Sequence, residues 1–188
     1  AAGLGGGSSN AAAVMKGVTK LLGIQTDEET LDRIGTSIGA DVPFFLHGKA
    51  ALVEGIGDVL TPIPVKKEYF CLLVKPKEGL STKAVFEACD SFQRTPIETK
   101  EVLRALETGD DDLLARSVGN DLFEPACSLL PKVQDVVLTL RKKGFPISSM
   151  TGSGSSCFAL SSDLKKLKET ARFFLDQGYF ATVTKTLL

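Results

Sequence analysis

Apolar residues recur at helical spacing near the start of the chain. Ala11, Val14, Met15, Val18, Leu21 and Leu22 predict an amphipathic helix over 10–22, with Gly23 as its stop. Thr26-Asp27-Glu28-Glu29 reads as a capping box that opens a second helix. In that helix Leu31, Ile34 and Ile38 are expected to face a core, and Gly39 ends it. Ala40-Asp41-Val42-Pro43-Phe44-Phe45-Leu46 then reads as a turn entering a short apolar run, which sets Asp41 at a helix-to-strand junction. His47-Gly48 turns the chain, and residues 49–54 and 58–63 predict a hairpin about Gly55-Ile56-Gly57.

Pro62, Pro64 and the charged run Lys66-Lys67-Glu68 mark a boundary, so two domains are expected, 1–64 and 65–188. Beyond it, Tyr69 to Val74 predicts a buried strand, and Ser81 opens a short helix that runs to Cys89. Helices follow over 98–107, 110–118, 121–129 and 131–143; Pro131 suits a first helical position and Gly144 a C-terminal cap. Ser148-Ser149-Met150 and Cys157-Phe158-Ala159-Leu160 predict short strands, followed by a helix over 163–176 and a strand over 179–186. This strand-helix-strand-strand-helix-strand order predicts an α+β fold, with a ferredoxin-like split βαβ layer carrying inserted helices after residue 64.

Composition narrows the classes. Lys and Arg total 22 against 23 Asp and Glu, so no basic excess points to nucleic acid. No apolar run is long enough to cross a bilayer, and no signal segment is visible, so neither a nucleic-acid nor a membrane partner is expected. Cys71, Cys89, Cys127 and Cys157 lack CxxC spacing and sit among apolar residues, as buried thiols in a reducing compartment do. His47 is the sole histidine, which leaves no histidine-based metal site; the metal ligands stay unassigned.

The chemistry concentrates in two Gly/Ser loops and one aspartate. Gly3-Leu4-Gly5-Gly6-Gly7-Ser8-Ser9 runs into a helix. Glycine backbone turned inward and a helix N-terminus together favour a phosphate, and the Ser8 and Ser9 hydroxyls add donors or a magnesium ligand. The bland alternative is a flexible terminal linker; no Gly-Lys-Ser/Thr follows, so this is no Walker loop, and a fit to GxGxxG fails at its last glycine. Thr151-Gly152-Ser153-Gly154-Ser155-Ser156 either closes a hairpin or offers backbone N–H groups to a ligand. Asp41, between apolar neighbours, is expected to be buried; it reads as a turn cap or as a base for a substrate hydroxyl. Lys16 reads as solvated, Phe86 as core or as a stacking platform, and Asp110-Asp111-Asp112 as a helix cap with a solvated face.

Taken together, Gly3 to Ala12, Ile38-Gly39-Ala40-Asp41-Val42-Pro43-Phe44-Phe45 and Thr151-Gly152-Ser153-Gly154 resemble the three ordered motifs of the GHMP small-molecule kinases. The resemblance covers essentially the whole chain. It implies a two-layer GHMP kinase fold, here a partial N-terminal domain plus the ferredoxin-like C-terminal domain. It also implies ATP as phosphoryl donor with Mg2+. The Gly39-to-Pro43 motif is most similar to the branch that phosphorylates a cytidine-diphosphate-linked methylerythritol in non-mevalonate isoprenoid synthesis, in a bacterial cytoplasm or plastid stroma. On this reading Gly3, Leu4, Gly5, Gly6, Gly7, Ser8 and Ser9 cradle the ATP phosphates, and Asp41 is the catalytic aspartate. Thr82 and Phe86 line the cytidine pocket, with Phe86 stacked on cytosine, and Gly152, Ser153 and Gly154 close over phosphates and substrate. Family members also begin with strands bearing a lysine that pairs with the aspartate; the resemblance implies that such a segment precedes Ala1. The alternatives are a mevalonate- or homoserine-type kinase of the same family, or a non-catalytic nucleotide-binding module.

Overall fold

In the computed structural model, which describes residues 2–92 and 97–187, the chain divides into two compact units. One comprises Gly5–Pro64 and Leu187; the other comprises residues 2–4 and Val65–Thr186.

The smaller unit begins with helix α1 (Gly6–Leu22), followed by α2 (Glu28–Ile38), α3 (Val42–His47) and the hairpin β1 (Ala51–Glu54) and β2 (Val59–Pro62). Gly23 closes α1 at φ 62°, where its amide returns to the helix as a left-handed C-cap does. The cap of α2 is Asp27, one residue later than the predicted box places it; its carboxylate accepts from Thr30 N at 2.6 Å. The segment expected to enter a strand after Asp41 is instead α3. Pro43 fits a first helical turn, and Gly48 stops the helix at φ 67°.

The core of this unit is small: Ala12, Val42 and Leu46, with Ala11, Met15, Leu31 and Phe45 around them. Ile34 and Ile38, expected to face it, are exposed, as are Val14, Val18, Leu21 and Leu22 of α1. The reason lies in Gly35. A Cβ there would stand 3.1 Å from Leu46 and 3.2 Å from Val42, so α2 meets α3 along its glycine edge and the isoleucine edge turns outward.

In the larger unit come β3 (Phe70–Lys75), α4 (Thr82–Cys89), α5 (Thr99–Thr108), α6 (Asp111–Ser117), α7 (Phe123–Leu129) and α8 (Lys132–Lys142). Then follow β4 (Ser148–Met150), β5 (Cys157–Ser161), α9 (Leu164–Asp176) and β6 (Phe180–Lys185). The sheet order is β4-β5-β3-β6 with every neighbour antiparallel, the arrangement of two interleaved βαβ halves that the element order predicts. Alternation along β3 sorts the packing. Leu72 and Val74 face Val133, Val137 and Leu140 of α8 and Leu167 and Phe174 of α9 in the main core. Tyr69, with Ile147 and Leu160, points the other way and gathers Ala105 of α5 and Leu114 of α6. Ser81 caps α4 and Asp110 caps α6 through its carboxylate to Leu113 N at 2.9 Å, as the sequence predicts. Among the described residues no helix is long and apolar enough to cross a membrane.

Candidate functional site

Gly5 adopts φ 60°, and a side chain there would run into the Phe45 ring at 2.6 Å, so the turn before α1 demands glycine twice over. The helix then starts at Gly6, four residues ahead of the predicted 10–22, which makes Gly6 to Ser9 its first turn. Ser9 N donates to Gly5 O at 2.9 Å, and Ser9 Oγ donates to Gly6 O at 3.1 Å. The amides of Gly6, Gly7 and Ser8 are the unpaired donors every helix start leaves. No side chain caps this end and no acidic residue stands in its first turn, whereas α2 carries an Asp cap and two glutamates. An anion is therefore favoured at the start of α1 by both amides and dipole.

The same unit holds Asp41. It occupies the N-cap position of α3, yet its carboxylate caps nothing. Contrary to the expected burial, Asp41 is exposed while Val42 and Pro43 beside it are buried. The carboxylate makes no hydrogen bond or ion pair among the described residues. Its turn lies against the start of α1: a Cβ on Gly39 would be 4.0 Å from Ser8 Oγ. Lys16 is exposed and reaches only the Phe45 carbonyl, at 3.4 Å.

In the larger unit the six residues from Thr151 to Ser156 link β4 to β5, with Thr151 N on Ser156 O and Gly154 N on Thr151 O, each at 3.0 Å. Gly152 (φ 55°) lies against Gly3 (φ 66°): a Cβ on Gly3 would sit 2.2 Å from Thr151 O, and one on Gly152 would sit 3.1 Å from Gly3 O. Thr151 Oγ1 donates to Gly3 O at 3.0 Å. The start of the first glycine motif and the last glycine loop are thus brought together, glycine to glycine. Ser153 is buried, its hydroxyl 2.8 Å from that of Thr82 at the start of α4. One helical step along, Val85 and Cys89 take the buried face of α4 and leave the Phe86 ring 56% exposed, so Phe86 is not core.

One residue of this loop's surroundings escapes sequence reasoning. Asn120, between α6 and α7, donates from Nδ2 to Met150 O at 3.0 Å and to Gly152 O at 2.8 Å. The only local signal is Gly119-Asn120-Asp121, a turn composition that says nothing of a partner thirty residues away. As for metal, no group of three or more carboxylate, histidine or cysteine ligands occurs among the described residues. The hydroxyl of Ser8 and the free lone pairs of Ser9 suit a magnesium ion that brings most of its oxygen ligands as phosphates and water.

Comparison with known proteins adds an independent line. The family description "GHMP kinases N terminal domain" matches residues 1–49, and "GHMP kinases C terminal" matches residues 102–179. A 4-diphosphocytidyl-2-C-methyl-D-erythritol kinase of Thermodesulfovibrio yellowstonii is 34% identical over 100% of this chain and 67% of its own length. One from Macrococcus caseolyticus is 35% identical over 89% of this chain and 60% of its own. A crystal structure of 4-(cytidine 5'-diphospho)-2C-methyl-D-erythritol kinase aligns with a TM-score of 0.81 at 30% identity, over 98% of this chain and 66% of that one. The chain thus spans three fifths to two thirds of the proteins it matches.

Proposed function

The chain belongs to the GHMP kinase family, and on that premise we propose that it transfers the γ-phosphoryl group of ATP to a hydroxyl of 4-diphosphocytidyl-2-C-methyl-D-erythritol. The oxygen of the alcohol forms a bond to phosphorus, the bond from phosphorus to the ADP oxygen breaks, and the hydroxyl proton is released. Phosphoryl transfer needs little covalent help from a protein; it needs a cradle for charged oxygens, a positioned alcohol and a proton acceptor.

The uncapped first turn of α1 takes the phosphates on the free amides of Gly6, Gly7 and Ser8, with Gly5 making the turn that exposes them. Ser8 or Ser9 would hold a magnesium ion, which would supply positive charge to the phosphate oxygens. Asp41 receives or orients the substrate hydroxyl. Among the described residues Asp41 neither caps its own helix nor pairs with a cation, so its lone pairs face a ligand, and this is the observation that carries the proposal. Phe86 stacks on the cytosine, Thr82 lies beside it, and Gly152, Ser153 and Gly154 close over phosphate and substrate, with the Ser153 N–H free to donate. An exposed ring on a helix whose neighbours are core residues supports that role. Four free thiols suit the reducing interior of a bacterial cytoplasm or plastid stroma.

The test is steady-state phosphorylation by the full-length protein. Asp41→Asn is expected to lower kcat by about 10²- to 10⁴-fold, the usual worth of a positioned proton acceptor, with ATP affinity retained. Turnover near that of the wild type would remove Asp41 from the reaction. Free CDP should compete with the alcohol substrate. Indifference to CDP, together with phosphorylation of mevalonate or homoserine, would move the substrate to those alcohols.

A further inference from the structure

Asn120 is fully committed to the last glycine loop. One hydrogen of its carboxamide goes to the loop, to Gly152 O, and the other to Met150 O at the strand end that enters it, while Oδ1 accepts Leu122 N at 2.9 Å and anchors the side chain in its own turn. The consequence follows from peptide geometry. A trans peptide is planar, so the Ser153 N–H points opposite to the Gly152 carbonyl. With that carbonyl pinned on Asn120, the Ser153 N–H faces away from it, and no backbone carbonyl among the described residues accepts it. The Ser153 hydroxyl is meanwhile paired with Thr82 at 2.8 Å. Gly152, at φ 55° and without a Cβ, offers little steric resistance to a flip of this peptide. The orientation therefore needs a lock, and a carboxamide supplies two donors where a carboxylate would set negative charge against two carbonyl oxygens.

We infer that Asn120 is a positioning residue for phosphoryl transfer: by holding the Gly152 carbonyl it aims the Ser153 N–H at a phosphate oxygen. The inference rests on the phosphotransfer reading above, and it concerns a residue whose carboxamide is taken up by backbone groups of the protein itself.

Asn120→Asp and Asn120→Ala in the full-length protein separate positioning from mere support. At neutral pH each is expected to lower kcat by about 10²-fold, the scale of a small misplacement at a reacting centre, with the KM values for ATP and the alcohol largely retained. The ratio of Asn120→Asp to wild-type kcat should climb as pH falls, because a protonated carboxyl regains one donor for the Gly152 carbonyl. The Asn120→Ala ratio should stay flat, since alanine has no donor at any pH. The three-bond HN–Hα coupling of Ser153, which reports its φ and therefore the orientation of the Gly152–Ser153 peptide, should change in both variants when read by NMR. Wild-type kcat in Asn120→Ala, or identical flat pH ratios for both variants, would overturn the inference, as would a loss that tracks only the fraction unfolded. If the wild type phosphorylates none of the alcohols, it is the phosphotransfer reading that falls. An unchanged Ser153 coupling would then overturn the lock as well, and a changed one would uphold it.

Discussion

Phe86 offers a single-residue test that separates recognition from packing. Its ring is more than half exposed, so Phe86→Ala should leave the melting temperature almost unchanged. Loss of stacking on a base is worth about 1–3 kcal/mol, so KM for the cytidine substrate should rise roughly 5- to 100-fold while KM for ATP stays put. Equal weakening of both substrates would contradict the stacking role. Gly152→Ala is the complementary case: φ 55° strains an L-residue by roughly 1–2 kcal/mol, and the new methyl would press on Gly3. A lower melting temperature and a lower kcat together are expected, the first read by calorimetry and the second by the kinase assay. At this scale the sequence points to the right residue types and misjudges surroundings. Asp41 has apolar neighbours, yet the helix that follows turns Val42 and Pro43 inward and leaves the carboxylate in water.

Elements are the scale at which apolar spacing speaks most clearly. The strands β3 to β6, the hairpin and the helices α4 to α9 follow their predicted positions; the helices each bury part of a helical stripe, whereas the hairpin, with no buried residue in either strand, is carried by its Gly55-Ile56-Gly57 turn. The segment after Asp41 misleads because six consecutive residues with five apolar ones suit a strand or a buried helix equally; Pro43 and Gly48 are the helix signals. α1 begins earlier than apolar spacing predicts because its first turn is built of glycine and serine, poor helix formers by propensity that give no apolar signal. The clasp between β3 and α6 can be tested by pH. Burial alone would raise the Asp111 carboxyl, but Lys67 at 2.8 Å and the Tyr69 hydroxyl at 2.7 Å outweigh it and hold it below the usual carboxylate range. A lowered folded value contributes stability above the unfolded one and loses it as pH falls through the folded one. Wild type should therefore exceed Asp111→Asn in stability at neutral pH, by no more than about 1 kcal/mol for so exposed a pair. The difference should vanish under acid conditions, as urea titrations at several pH values would reveal.

Across the whole molecule the thiols report folding. Burial pushes Cys157 up to about 12 and Cys71 to about 11; burial, then Glu124 and Asp135, raises Cys127 to about 11. Since the thiolate is the nucleophile, these three should resist alkylation at neutral pH until the larger unit opens, and mass spectrometry after a denaturant series should show their modification rising with unfolding. Rapid native alkylation of Cys157 would contradict its place in the core. What the sequence by itself determined is the set of elements apart from α3, the order of the sheet and the family, because these are carried by local spacing and by the motif glycines, of which Gly3, Gly5 and Gly152 admit no side chain. Only the tertiary structure decided that Ile34 and Ile38 face outward, that Asp41 and Phe86 stand bare, that Gly3 meets Gly152 and that Asn120 holds the last loop. Each of these depends on which distant residue occupies the neighbouring space, and no local pattern along a chain records that.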